Sequence, residues 1–302
     1  NSSQLALLEL STSSSQAMKF ISYAQNHQKG IALQTQNGLM GLTRDAANFP
    51  GMLDHLIKTK SDLHGVAEVL KTKGHALDPA AISYLPVLEH PGKIICVGLN
   101  YADHAKESPY DMPAYPPLFP RFTSSLVGHG HALVKPRVSD QFDYEGEMVA
   151  VIGVGGRHIS KEHALDHVLG YSICNEGSIR DYQFKSAQWT VGKNFDQSGS
   201  LGPVFVTADE LPRGAKGLHL ETRLNGQVLQ SATTADMLFD IPTLIHIISE
   251  AITLEPGDIL ITGTPAGVGF ARKPPIFMKA GDVCEVEIEG IGLLSNPIVN
   301  EA

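Results

Sequence analysis

The stretch Asp143-Tyr144-Glu145-Gly146-Glu147-Met148-Val149-Ala150-Val151-Ile152 sets the reading of this chain. Met148–Ile152 is a short apolar run and reads as a strand. Just ahead of it, Glu145 and Glu147 stand two apart, so on a strand both carboxylates point to one face. Convergent carboxylates repel each other unless a cation sits between them. A hard divalent ion such as Mg²⁺ or Mn²⁺ takes oxygen ligands of this kind. A solvated strand face has the same spacing: Glu285, Glu287 and Glu289 repeat with that period and read as solvent-facing. Spacing alone leaves both readings open, and Glu176 further along is a third acid of the group.

Working outward, Gly153-Val154-Gly155-Gly156 follows the strand as a dinucleotide-binding turn would. His158 stands where the third glycine belongs, which excludes that fingerprint. Ser160 reads as the cap of a helix to about Val168, with Gly170 as its stop. Tyr171–Asn175 and Ile259–Thr262 read as strands and Arg180–Gln188 as a helix. Asp240 with Pro242 opens a helix over Leu244–Ala251. Val283–Glu289 alternates, with Cys284, Val286 and Ile288 on one face. Upstream, Lys93–Val97 reads as a buried strand running into Gly98-Leu99-Asn100-Tyr101 and a helical turn over residues 102–107. The proline-rich stretch from Ser108 to Arg121 reads as a loop of the kind that forms lids.

Residues 18–88 read as a small N-terminal domain. It holds a hairpin at Gln36-Asn37-Gly38 and helices near Met52–Lys58 and Leu63–Lys71. Residues 1–17, Ser-rich before Met18, read as an appended or disordered leader, and residues 89–302 as the catalytic domain. The fold class expected is α+β and β-rich.

The 302 residues, 42% hydrophobic and 18% charged, are globular in composition. A net charge of −9 argues against nucleic acid as a partner, because phosphate binding needs a basic surface. No apolar run approaches membrane-spanning length. Cys96, Cys174 and Cys284 are too few for a disulfide framework, and the expected compartment is reducing, taken as the cytoplasm. There is no GxSxG elbow and no phosphate-binding GxxxxGK[ST] loop.

His104 and Glu107 share one face of a helical turn, where a carboxylate orients an imidazole as a general base. A surface ion pair has the same spacing. Arg180, Gln183 and Lys193 form a polar set able to bind a substrate carboxylate and a developing oxyanion, and ordinary helix decoration has the same pattern. Thr262-Gly263-Thr264-Pro265-Ala266-Gly267-Val268-Gly269 offers backbone N–H groups and hydroxyls able to hold an anion, and an ordinary glycine-rich turn has the same composition.

Taken together, these blocks resemble the fumarylacetoacetate hydrolase family. They are Val97 through His104 with Glu107, Asp143 through Glu147, Gly170-Tyr171 through Arg180-Asp181, Gly192-Lys193-Asn194-Phe195, Leu224-Asn225-Gly226 and Thr262 through Gly269. They stand in the family's order over about 200 residues. The resemblance implies a mixed β-sandwich roll, a homodimer, and a divalent metal: Mg²⁺ or Mn²⁺, with Ca²⁺ also used. It implies chemistry on 2-oxo acids and β-diketo acids of the kind met in aromatic catabolism. Carried over by position, Glu145, Glu147 and Glu176 resemble the metal ligands. His104 and Glu107 resemble the lid dyad, with Gln183 and Lys193 beside them in catalysis. Arg180, Tyr101, Gly263 and Thr264 resemble substrate-binding positions. The third ligand is usually Asp in the family, and Glu176 reaches ~1.5 Å further. Gly177 gives the backbone room to compensate.

The activity expected on this resemblance is metal-dependent hydrolysis of a C–C bond in an acylpyruvate. In it, His104 activates water, and Lys193 and Gln183 stabilise the oxyanion. Decarboxylation, dienoate isomerisation and hydration use the same residues and stay open, as does a catalytically silent 2-oxo acid binding protein.

Overall fold

A computed structural model describes residues 18–302, so the leader assigned to residues 1–17 lies outside the described residues. The strand at the centre of the sequence runs over Gly146–Ile152 and is buried along its whole length. Its successive side chains enter two different cores. Met148, Ala150 and Ile152 join one, and Val149 and Val151 join the other, as the period of two requires.

This strand lies inside a twelve-stranded sheet. The main path runs through His75–Leu77, Gly38–Thr43, Gln28–Thr35, Lys19–Gln25 and Gly199–Thr207. It continues through Val168–Asn175, Gly146–Ile152, Ile259–Ile261 and Ile94–Val97 to Leu118–Pro120. A five-stranded sheet, Gln227–Thr233, His219–Leu224, Val283–Ile288, Gly292–Asn300 and Leu133–Lys135, packs on the Met148 face. Its Leu220, Val286, Ile288 and Leu294 enter that core. Helix Ile241–Ala251 adds Ile241, Leu244, Ile245 and Ile248, each contributing about 1.5–3 kcal/mol by burial. Asp240 caps it by accepting from the Thr243 N–H at 3.0 Å. Helices Leu53–Lys58 and Leu63–Lys73 cover the opposite core. The fold is α+β and β-rich.

The leading segment is continuous with the large sheet, since Lys19 and Phe20 pair with Val206 and Phe205. Two expected helices differ. The one placed over Arg180–Gln188 is helical only over Arg180–Gln183. Beyond it, the Ser186 hydroxyl accepts from the Gln188 N–H and donates to the Gln188 carbonyl, a local turn that competes with further helix. The one begun at Ser160 is a 3₁₀ turn over Lys161–His167. Gly170 does not stop it; that residue lies within strand Val168–Asn175, where an added Cβ would meet the Val206 carbonyl at 2.3 Å.

Strand direction assembles the site. Gly146 pairs with Asn175 at the start of one strand and the end of its antiparallel neighbour. Ile259–Ile261 ends on the same side, and Ile94–Val97 runs parallel to it. Four chain segments therefore leave the sheet at one end: residues 143–147, 176–183, 262–270 and 98–107.

Candidate active site

At that end of the sheet, Glu145, Glu147 and Glu176 converge. One carboxylate oxygen from each lies within 4.8 Å of the others, and all three residues are buried. The chain brings Glu176 in through a hydrogen bond from its N–H to the Glu145 carbonyl at 2.8 Å. Gly177 is pressed against the neighbouring strand, where a Cβ would stand 1.7 Å from the Ser198 carbonyl. Arg121, buried, donates to the Gly177 carbonyl at 3.0 Å and to the Ser198 hydroxyl at 2.8 Å, clasping the two chain segments together.

The electrostatics of this set are unequal. Burial raises the Glu145 carboxyl, but Lys193, Arg180 and His104 outweigh it and hold it at about 2. Lys193 Nζ donates to Glu145 at 3.0 Å and lies 3.3 Å from Glu176. Arg180 Nη2 lies 2.8 Å from Glu145. Burial and the charges of Glu176 and Glu145 push Glu147 well up. Burial also raises Glu176, against Lys193. Like charges at this separation cost roughly 3 kcal/mol per pair at an effective dielectric near 20.

The residues fit a divalent cation on one observation above all. Both oxygens of Glu176 are buried and receive no aligned hydrogen bond, with the Lys193 ammonium 3.3 Å from one of them. Buried carboxylates are normally satisfied, so these lone pairs have the character of ligands. An all-oxygen set suits a hard ion. The longer Glu176 side chain reaches this set from its place on the chain.

The glycine-rich loop does hold anions, but they are the protein's own carboxylates. Gly263 N–H donates to Glu147 at 2.6 Å. Gly267 N–H donates to both Glu107 oxygens at 3.1 Å, and Val268 N–H to one of them at 3.4 Å. Gly269 and Phe270 N–H groups donate to Asp143 at 2.8 and 3.0 Å. One loop thus orients three carboxylates. Its Thr264 hydroxyl donates to the Gly146 carbonyl and accepts from Gln230, which ties the loop to the central strand.

Glu107 in turn lies 3.0 Å from His104 Nδ1. A carboxylate already accepting from the loop can only accept again, so Nδ1 carries the proton and Nε2 is left as the basic nitrogen. Leu99, at φ 53, turns the chain from strand Ile94–Val97 toward helix Ala102–Glu107, which carries His104.

A small cavity opens beside this set, lined by His104, Glu145, Arg180, Gln183, Lys193 and Thr264 among others. Arg180 reaches it already committed. It donates to Asp143 at 2.8 Å and to the Gln183 side-chain oxygen at 2.9 Å, and the ring of Phe270 covers it at 4.6 Å. Burial weakens this cation, but Asp143 and Glu145 more than restore it. Two expected substrate-binding positions lie differently. The Gly263 N–H is spent on Glu147. Tyr101 faces a separate depression with Asp236 and Pro265, its buried hydroxyl unpartnered. Burial and the charges of Glu147 and Asp236 raise that phenol.

Asp143 is the residue that sequence reasoning left without a task. The period of two that joins Glu145 to Glu147 extends back to it, and that was the available signal. Phe270 and Gln230 carried none, since one ring and one amide outside any spaced pattern do not stand out.

The chain belongs to the fumarylacetoacetate hydrolase family. A sequence model of the family described as fumarylacetoacetate (FAA) hydrolase C-terminal matches residues 93–299. Among the relatives, a mitochondrial oxaloacetate tautomerase of Xenopus laevis is 40% identical over 89% of this chain and 85% of its own length. A mitochondrial oxaloacetate tautomerase of Homo sapiens is 36% identical over 94% and 93%. Among solved structures, a fumarylacetoacetate hydrolase from the psychrophilic Exiguobacterium antarcticum is 35% identical with a TM-score of 0.79, covering 94% of this chain and 100% of its own. A 5-carboxymethyl-2-hydroxymuconate delta-isomerase from Mycobacterium smegmatis is 31% identical with a TM-score of 0.73 and the same coverage. The mitochondrial relatives overturn the cytoplasmic expectation. Three cysteines separate reducing from oxidising surroundings, but they do not separate one reducing compartment from another.

Proposed function

We propose that this chain interconverts the keto and enol forms of a 2-oxo acid, with His104 moving the proton. The observation that carries the reading is the loop–Glu107–His104 relay beside a buried set of three carboxylates, of which Glu176 receives no aligned hydrogen bond. A divalent ion held by Glu145, Glu147 and Glu176 would supply Lewis acidity to a bound 2-oxo carboxylate.

The chain's own residues supply the rest. His104 Nε2 takes a proton from C3. The C3–H bonding pair becomes the C2–C3 double bond, and the carbonyl pair moves to the oxygen on C2. The His104 imidazolium returns its proton to that oxygen to complete the enol, and the reverse path restores the ketone. Glu107 stabilises the imidazolium while it exists. Lys193 keeps Glu145 ionised and draws Glu176 close, and Arg180 with Asp143 holds Glu145 from the other side. Gln183, oriented by Arg180, turns its amide toward the cavity as a neutral donor.

The relatives named as oxaloacetate tautomerases support this reading over the hydrolysis expected from family resemblance. Hydrolysis of an acylpyruvate remains a second reading, favoured by the similar solved hydrolase structure. Proton NMR of the reaction on oxaloacetate and on an acylpyruvate tests both. Interconversion of tautomers with the carbon skeleton intact is the expected result. Release of pyruvate together with the free acyl acid from the acylpyruvate supports the second reading and overturns the first.

A further inference from the structure

The cavity has two unlike ends. The inner end carries Glu145, Lys193 and His104. The outer end is aromatic. The Tyr110 ring lies 5.3 Å from Trp189 and 6.4 Å from Phe184, and Phe184 lies 5.7 Å from Phe270. Trp189 Nε1–H donates to the Tyr110 hydroxyl at 2.9 Å, which ties the proline-rich loop across the mouth. The indole is wedged against the backbone at residue 98, where an added Cβ would meet it at 2.4 Å.

Charge is distributed as unevenly. Arg180, Lys193 and His104 are the basic side chains lining the cavity among the described residues, and each is committed to a carboxylate at the inner end. A second carboxylate on a bound acid would meet ring faces, whose quadrupole is negative, and no free cation. Desolvating it there without a counter-ion is costly. A flat apolar group would stack on the same rings with favourable geometry.

We infer that Tyr110, Phe184, Trp189 and Phe270 form a specificity collar that selects 2-oxo acids with a flat, uncharged distal group over dicarboxylic ones. The inference deepens the enolisation reading by naming the substrate class, and it rests on that reading.

Trp189 is the single tryptophan of the chain, so its emission reports on the collar directly. The test titrates the Mg²⁺-loaded protein with phenylpyruvate and with oxaloacetate, reading affinity from Trp189 emission corrected for absorption, and measures enolisation of both acids in parallel. Phenylpyruvate is expected to bind at least about tenfold more tightly, a margin typical of pocket discrimination. Phe184→Arg, a substitution at a half-exposed position, places a cation in the collar and is expected to shrink that ratio at least about tenfold. If that variant fails to fold, Tyr110→Ala on the exposed lid is expected to lose the aryl preference. Equal or tighter binding of oxaloacetate by the parent protein overturns the collar. Tight phenylpyruvate binding with enolisation of neither acid keeps the collar and overturns the enolisation reading. Enolisation of both acids with equal affinity does the reverse.

Discussion

At the residue scale, the account turns on three buried glutamates in unequal states. Replacing Glu147 by Gln removes one of three proposed ligands and leaves the amide beside the Gly263 N–H. Mn²⁺ affinity measured by calorimetry is expected to fall at least about a hundredfold, in line with loss of a direct ligand. The pH dependence follows from the raised Glu147 and Glu176 carboxyls. An acid raised in the folded state contributes stability that is full below its ordinary value of 4.5 and is lost as pH rises through the folded value. Glu145, held at about 2, is ionised throughout that range and adds nothing to the slope. The metal-free protein should therefore melt progressively lower as pH rises above 4.5 through this set. Mn²⁺ displaces those protons, so the rise in melting temperature it produces should be larger at higher pH. A rise that is equal or smaller at higher pH contradicts the assignment.

At the element scale, the glycine-rich loop is the organiser. Gly267 has φ +105, and a Cβ there would stand 2.0 Å from the Leu229 carbonyl. Gly267→Ala is therefore expected to displace the N–H that holds Glu107, at a stability cost of about 1–3 kcal/mol. Turnover should fall at least about tenfold with Mn²⁺ affinity kept, because the metal set uses a different part of the loop; paired calorimetry and rate measurements check this.

Much of this was legible beforehand. The spacing of Glu145 and Glu147, of His104 and Glu107, and the alternation of Cys284, Val286 and Ile288 each follow from local geometry. All three pairings or faces are present in the fold. The loop's affinity for anions was legible too, but not which anions. Those are carboxylates distant in sequence, such as Glu107 for Gly267 and Asp143 for Gly269. The same holds for Arg180, whose guanidinium meets Asp143 and Glu145 only because two antiparallel strands bring their ends together. Local patterns state what a residue can do, and strand pairing decides what it meets.

At the scale of the whole molecule, the large sheet runs from the leading segment through to the site. Phe20 is buried against Phe205, and its core also contains Val149, Val151 and Cys96. Phe20→Ala is expected to cost about 3–5 kcal/mol. We propose that this loss is felt by the whole chain: unfolding monitored by Trp189, which packs against that core from residues far along the sequence, should shift to lower denaturant in one transition. An unshifted Trp189 transition would show instead that residues 18–88 unfold independently. The same continuity explains how a site drawn from residues 98–107, 143–147, 176–193 and 262–270 is held rigid. Each segment adjoins a strand of one sheet at one end.

The central claim is that His104, held by Glu107 beside a metal set of three glutamates, moves a proton at C3 of a 2-oxo acid. The most direct measurement is deuterium incorporation at C3 of a 2-oxo acid in D₂O, followed by NMR with Mg²⁺ present, for the parent protein and for His104→Ala. The account predicts exchange by the parent well above the rate of Mg²⁺ alone, reduced at least about a hundredfold in the variant, as loss of a general base implies. Exchange that persists undiminished in His104→Ala would contradict it.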